Sequence, residues 1–196
     1  MSPWELDRRR SALLVIDMQN DFVRRGFPME VPMARARIGA MREVAARCRA
    51  VGVPVLCTRH VLFDSFDVSP LETARNPALR TAGLRAGSHG AEIVEELAPE
   101  PGEVVIDKHR YDAFHNTPLH SVLTTIRGPH VVDTVIITGT LTDVCCESTA
   151  RSAFMRDYKV AFAADATGAL SEAAQEATRR CAASKRSSAA FPATPS

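Results

Sequence analysis

With 196 residues, 45% of them hydrophobic, the chain is long enough to bury one substantial core and reads as a single domain. Twenty-four lysines and arginines against 23 aspartates and glutamates leave a net charge of +1, and the arginines are scattered, which argues against a nucleic-acid partner. No apolar run approaches a membrane span, the opening segment from Met1 to Arg10 lacks the apolar centre of a signal peptide, and Cys48, Cys57, Cys145, Cys146 and Cys181 show neither disulfide nor metal-ligand spacing, so a reducing cytoplasm is expected.

Along the chain, short apolar runs alternate with stretches of helical spacing. Ser11 to Asp17 reads as a strand buried on both faces. Ala34 to Val51 has helical spacing through Ile38, Met41, Val44, Ala45 and Cys48, with Gly52 as its stop. Val53 to Thr58 is the next strand, followed by a loop-rich stretch from Asp64 to Gly90 and a short helix from Ala91 to Leu97. Glu103 to Lys108 is a third strand, Leu119 to Ile126 a helix, and Thr134 to Thr138 a fourth strand. Gly139 then permits a sharp bend, and Thr142 or Asp143 can cap a helix that continues through Ala150, Ala153, Phe154 and Met155. Lys159 to Asp165 and Ser171 to Arg180 read as a last strand and helix. This order predicts an α/β fold, with a mainly parallel sheet covered by helices on both faces and ligands bound beyond the carboxyl ends of the strands.

The residues that end the strands carry the chemistry. Asp17 closes the first, Lys108 the third, and Cys145 lies just past the fourth, so a parallel sheet brings a carboxylate, an ammonium and a thiol to one edge. A cysteine in the first turn of a helix gains from backbone N–H groups and the helix dipole, which favour a thiolate and can hold an oxyanion. Lys108 would favour the thiolate further, and Asp17 could accept the thiol proton and pass it to the leaving group. Taken singly, each residue has a plainer account: ionic strand ends usually enter solvent, and Cys145 could be a small buried helix residue. Their coincidence at three strand ends favours the catalytic account.

Leu14 to Phe22, Lys108 followed by Tyr111, Phe114 and Asn116, and the Gly139 to Arg151 turn and helix together resemble the isochorismatase-like cysteine hydrolases, over about Ala12 to Ala177. The resemblance implies a three-layer α/β/α, Rossmann-like fold with no cofactor, and an Asp-Lys-Cys triad that maps onto Asp17, Lys108 and Cys145. It also implies a covalent thioester, a cis peptide between Thr140 and Leu141, and an oxyanion hole from the backbone N–H groups of Leu141 and Cys145. The family turn pattern selects Cys145 over Cys146, which helical spacing places on a packing face with Ala150, Ala153 and Phe154. Phe22, Tyr111 and Phe114 are candidates to line a small substrate cavity, with core packing an equal contender for Phe22 and Phe114. Gln19, Asn20 and Asp21 are expected to order their loop through hydrogen bonds to backbone.

Departures from the family narrow the substrate. Nicotinamidases in this family bind a metal through an Asp two positions before a His, whereas this chain has Thr58-Arg59-His60, so no metal is expected. His60 remains a candidate substrate contact, against a loop histidine satisfied by neighbouring backbone. Asp143 stands where Asn is more usual and adds negative charge near the thiol. The resemblance thus implies hydrolysis of a C–N bond in a small amide or ureido substrate by a homo-oligomer. Its alternatives are an isochorismatase-type ether hydrolase and a catalytically silent binding or assembly protein. Relatives usually finish with a longer helix and a further strand, so with the domain drawn over residues 1–180, the segment 181–196 is expected to be disordered, as the end of a truncated or frame-altered chain.

Overall fold

The computed structural model describes residues 5–184. Its sheet has five parallel strands in the order β3-β2-β1-β4-β5: β1 Ser11–Ile16, β2 Val55–His60, β3 Val104–Lys108, β4 Thr134–Thr140 and β5 Lys159–Gly168. The helices are α1 Asn20–Val23, α2 Pro32–Ala36, α3 Ile38–Ala50, α4 Pro70–Arg75, α5 Leu119–Thr125, α6 Glu147–Phe154 and α7 Glu172–Ser184.

β1 is the central strand and all of it is buried, which is why its sequence shows no polar alternation. Its alternate side chains feed two cores. Leu13 and Val15 join Val55, Cys57, Ile136 and Ala161 beneath Met41, Ala45 and Cys48 of α3. Ala12, Leu14 and Ile16 join Leu56, Val135 and Ile137 beneath Leu119 and Leu123 of α5 and Ala153 of α6. One sheet with an apolar core on each face gives the three-layer α/β/α architecture.

Three local expectations are corrected, the first two by long-range contacts. The helix read from Ala34 to Val51 is broken at Arg37, because its guanidinium donates to the carbonyls of Ala164 at 3.0 Å and Thr167 at 2.6 Å in β5. The helix read from Ala91 to Leu97 is two short 3-10 turns, His89–Ala91 and Glu95–Leu97. Between them the backbone is taken by the segment after β1: Asn20 N donates to Glu92 O and Val94 N to Met18 O, both at 2.9 Å. Of the residues expected on the packing face of Cys146, Ala153 is buried as Cys146 is, but Phe154 is 59% exposed and Thr149 is buried in its stead. α7 runs past residue 180 to Ser184, and the remaining tail expectation, residues 185–196, lies outside the described residues.

Candidate active site

From β1 the chain builds outward to β2 and β3 on one side, then crosses to β4 on the other, so the carboxyl ends of β1 and β4 flank the point where the strand order reverses. Asp17 follows β1 directly and Cys145 follows β4 by one tight turn. Lys108 closes β3, two strands or about 10 Å from β1, a gap that its long stem and the Asp17 side chain span together. Lys108 Nζ lies 2.6 Å from Asp17 Oδ2, and both side chains are 0% exposed. The other carboxylate oxygen accepts from Thr58 Oγ1 at 2.6 Å, and Lys108 Nζ also donates to Arg110 O at 3.0 Å. Asp17 itself has φ of 49°, a left-handed conformation that short polar side chains adopt more readily than others.

The turn that carries Cys145 depends on a glycine. Gly139 has φ of 119°, and a Cβ there would meet Ile16 O at 2.1 Å, so only glycine lets β4 lie this close to the end of β1. The Thr140–Leu141 peptide is cis. Thr142 to Cys146 then form a wide π-type turn ahead of α6, not the ordinary first α-helical turn expected, with Leu141 O accepting from Cys146 N at 3.0 Å. α7 fixes this turn from outside: Thr142 Oγ1 donates to Gln175 Oε1 at 2.7 Å, and Gln175 Nε2 reaches Ala164 O at 2.9 Å in β5.

The thiol environment differs from the expectation of a ready thiolate. Burial is the largest influence on Cys145 and, despite the opposing pull of Lys108, pushes it up to about 12; hydrogen bonding and repulsion from Asp17 add to the rise, and the Leu141 backbone N–H offsets part of it. Lys108 is likewise opposed by burial, yet the charges of Asp17 and Cys145 hold its pKa above the ordinary lysine value. The resting arrangement is therefore a neutral thiol hydrogen-bonded to a carboxylate that is paired with an ammonium. Asp143 is exposed and acts on the buried Cys146, where it is the smallest of several influences.

His60 is not a loop residue: it ends β2 in register with Lys108 and is buried. Gln19 brackets its backbone, accepting from His60 N at 2.7 Å and donating to His60 O at 2.9 Å, while the imidazole Nε2 has no hydrogen-bond partner among the described residues. Burial, then the nearby Lys108 and Arg110 charges, hold its pKa well below the usual histidine value, so the ring is neutral. Asn20 and Asp21 act on backbone as expected, with Asn20 Nδ2 donating to His89 O at 2.9 Å and Asp21 Oδ2 accepting from Leu84 N at 2.5 Å.

Ligand atoms of Asp17, His60 and Cys145 lie within 4.8 Å of one another. As a metal set they do not fit, because the Lys108 ammonium already occupies the Asp17 carboxylate and would stand against a divalent ion sharing it. Tyr111 packs edge-on to the His60 ring, with centroids 6.3 Å apart, and is 38% exposed. Phe114 shares the buried cluster of Cys145 and Cys146, tilted 33° against the Tyr158 ring with centroids 5.7 Å apart, beneath Arg156. Phe22 is buried in the opposite core with Met18, Val23 and Val31.

A three-layer α/β/α protein with a thiol, a carboxylate and an ammonium meeting at the switch point of its sheet has the makings of a hydrolase. The chain belongs to the isochorismatase family, whose domain model matches residues 11–186. It is 36% identical over 185 residues to ureidoacrylate amidohydrolase RutB of Methylobacterium radiotolerans, covering 84% of this chain and 69% of that protein. A cysteine hydrolase from Pseudomonas syringae pv. phaseolicola matches the fold with a TM-score of 0.86 at 29% identity, over 95% of this chain and 91% of that one. N-carbamoylsarcosine amidase from Thermoplasma acidophilum matches with a TM-score of 0.72 at 28% identity, over 87% and 91% of the two chains.

Proposed function

We propose that this protein is an amidohydrolase that cleaves a non-peptide C–N bond of a small amide or ureido substrate through a thioester on Cys145. The observation that carries this reading is the fully buried Lys108–Asp17 pair, 2.6 Å apart, with the Cys145 sulfur within 4.8 Å of the Asp17 carboxylate. Relatives named as a ureidoacrylate amidohydrolase and an N-carbamoylsarcosine amidase support the bond type.

The mechanism follows from the charges. A thiol near 12 is not a free thiolate at neutral pH, so Asp17 takes its proton as sulfur attacks the substrate carbonyl carbon, and Lys108 offsets the charge that builds on the pair. Oxygen of the tetrahedral intermediate becomes negative, and the backbone N–H groups of Leu141 and Cys145 receive it; one such donor is worth roughly 3 kcal/mol. The C–N bond breaks as Asp17 returns the proton to nitrogen, releasing ammonia or an amine and leaving the thioester. Water then gives its proton to Asp17 and its oxygen to the acyl carbon, and sulfur leaves with that proton. The net reaction adds one water across the C–N bond. Residues Tyr111, Phe114 and His60 complete the reading as walls of the substrate cavity, in a cytoplasmic homo-oligomer, and Phe22 takes the core-packing role instead.

Acid quenching during turnover of a small amide, followed by peptide mass mapping, tests this reading. The expected result is an acyl adduct on the peptide carrying Cys145, lost when Cys145 is replaced by alanine. An adduct that survives Cys145→Ala overturns it.

A further inference from the structure

The turn that carries Cys145 is held by a side chain that takes no part in the chemistry. Gln175 lies on α7 and is buried. Its Nε2 donates to Ala164 O at 2.9 Å and to Thr167 Oγ1 at 3.2 Å, so both amide hydrogens go to β5, and Oε1 is left to accept from Thr142 Oγ1 at 2.7 Å. Flipping the amide would set Oε1 against the Ala164 carbonyl, so the acceptor end is fixed toward Thr142.

β5 is irregular where Gln175 grips it. Phe162 stands opposite Ile137 and Thr167 opposite Gly139, so the stretch between them bulges out of the ladder. The Ala164 carbonyl in that bulge is filled by Arg37 Nη1 at 3.0 Å and by Gln175. Gln175 therefore ties the bulge to Thr142, the residue that opens the turn between Leu141 and Cys145. Further along α7, Thr178 Oγ1 donates to Glu147 Oε2 at 3.0 Å, a separate hold at the start of α6, past the turn.

We propose that Gln175 is a positioning residue for the nucleophile turn: through Thr142 it sets the direction of the Leu141 and Cys145 N–H groups, and so acts on the step that forms the tetrahedral oxyanion, not on the thiol. This rests on the amidohydrolase reading of Cys145 and extends it to α7. Misplacing a reacting or stabilising group by about 1 Å can cost on the order of a hundredfold in rate, so a buried amide outside the site can govern turnover. Thr178, whose bond reaches only Glu147, secures α7 without that effect.

The test compares two reagents on the same thiol. p-Nitrophenyl acetate acylates Cys145 through an oxyanion: sulfur attacks the ester carbonyl, its proton passes to Asp17, and p-nitrophenolate leaves. Iodoacetamide alkylates the same sulfur by displacing iodide, with no oxyanion. In Gln175→Met and in Thr142→Val, acylation should fall roughly ten- to hundredfold while alkylation stays within about threefold of wild type. The double variant should lose no more than either single one, because the two side chains act as a unit. Thr142→Ser, which keeps the hydroxyl, and Thr178→Val should both acylate within about threefold of wild type. Thr142→Val carries the test should Gln175→Met fail to fold. Equal loss of both rates, undiminished acylation in the folded variants, or a loss in Thr178→Val as large as in Gln175→Met overturns the proposal. Failure of the hydrolase reading, which takes the proposal with it, shows separately and without any Gln175 variant, as p-nitrophenol release that persists undiminished in Cys145→Ala.

Discussion

Replacing Lys108 by methionine keeps an unbranched stem and removes only the ammonium. Asp17 is then a fully buried carboxylate whose remaining side-chain donors are Thr58 and the neutral Cys145 thiol. Breaking a buried pair by removing one partner costs about 3–5 kcal/mol, a large share of the 5–15 kcal/mol that holds a domain folded. In a chain of this size that corresponds to a fall in Tm of roughly 6–20 °C. Asp17→Asn makes the reciprocal error, leaving the ammonium with the Arg110 carbonyl at 3.0 Å; asparagine is the replacement of choice because it tolerates the φ of 49°. The double variant Asp17→Asn/Lys108→Met buries no charge at this point and should recover to within about 2 kcal/mol of wild type, giving a coupling energy of several kcal/mol. All three variants should lack ammonia release, so stability returns in the double variant and activity does not. Urea unfolding at neutral pH reads the first quantity. Additive losses, or a cost below about 1 kcal/mol for Lys108→Met, would refute the reasoning that the two groups form one buried unit.

Three further outcomes are expected. Because the Cys145 thiol is pushed up to about 12, its alkylation by iodoacetamide should rise steadily from pH 7 to 10; a plateau reached near pH 7 would mean a preformed thiolate. Gly139→Ala should cost at least about 3 kcal/mol, from the positive φ and the collision with Ile16 O, and a variant within 1 kcal/mol of wild type in urea unfolding would contradict that geometry. His60 is held neutral in the fold while an unfolded histidine binds a proton below about pH 6.5, so the unfolded state gains protons first and stability falls with acid, by up to about 1.4 kcal/mol per pH unit. His60→Gln should flatten that acid limb, and an unchanged pH profile of unfolding would show that His60 is free to titrate.

The sheet and its three strand-end residues were legible because their signals are local. Ser11 to Ile16 and Thr134 to Ile137 are apolar runs that stop at a polar residue or a glycine, and the parallel order follows from the helical stretches between them. Arg37 breaks its helix for carbonyls in β5, 127 and 130 residues away, and no local pattern announces such a contact. Thr58 holds Asp17 from 41 residues further on, and Gln175 holds the cysteine turn from 33 residues beyond Thr142. The only sequence signal for Thr58 was its place at the end of a predicted strand, and Gln175 had none beyond its helical spacing. Helix-start reasoning accounted for the dipole at Cys145 but not for the depth at which packing buries it, and depth dominates its acidity.

Ammonia release from a panel of small amides and ureides, measured side by side for wild type, Cys145→Ala and Cys146→Ala, tests the central claim most directly. Cys146 is fully buried in the α5–α6 core, so its loss should cost about 1 kcal/mol of stability and leave turnover within about threefold of wild type. Cys145→Ala should fold and lose at least a thousandfold in turnover, since removing a nucleophile removes the covalent path. Full turnover by Cys145→Ala, or its loss in a well-folded Cys146→Ala, would contradict the assignment of Cys145 as the nucleophile.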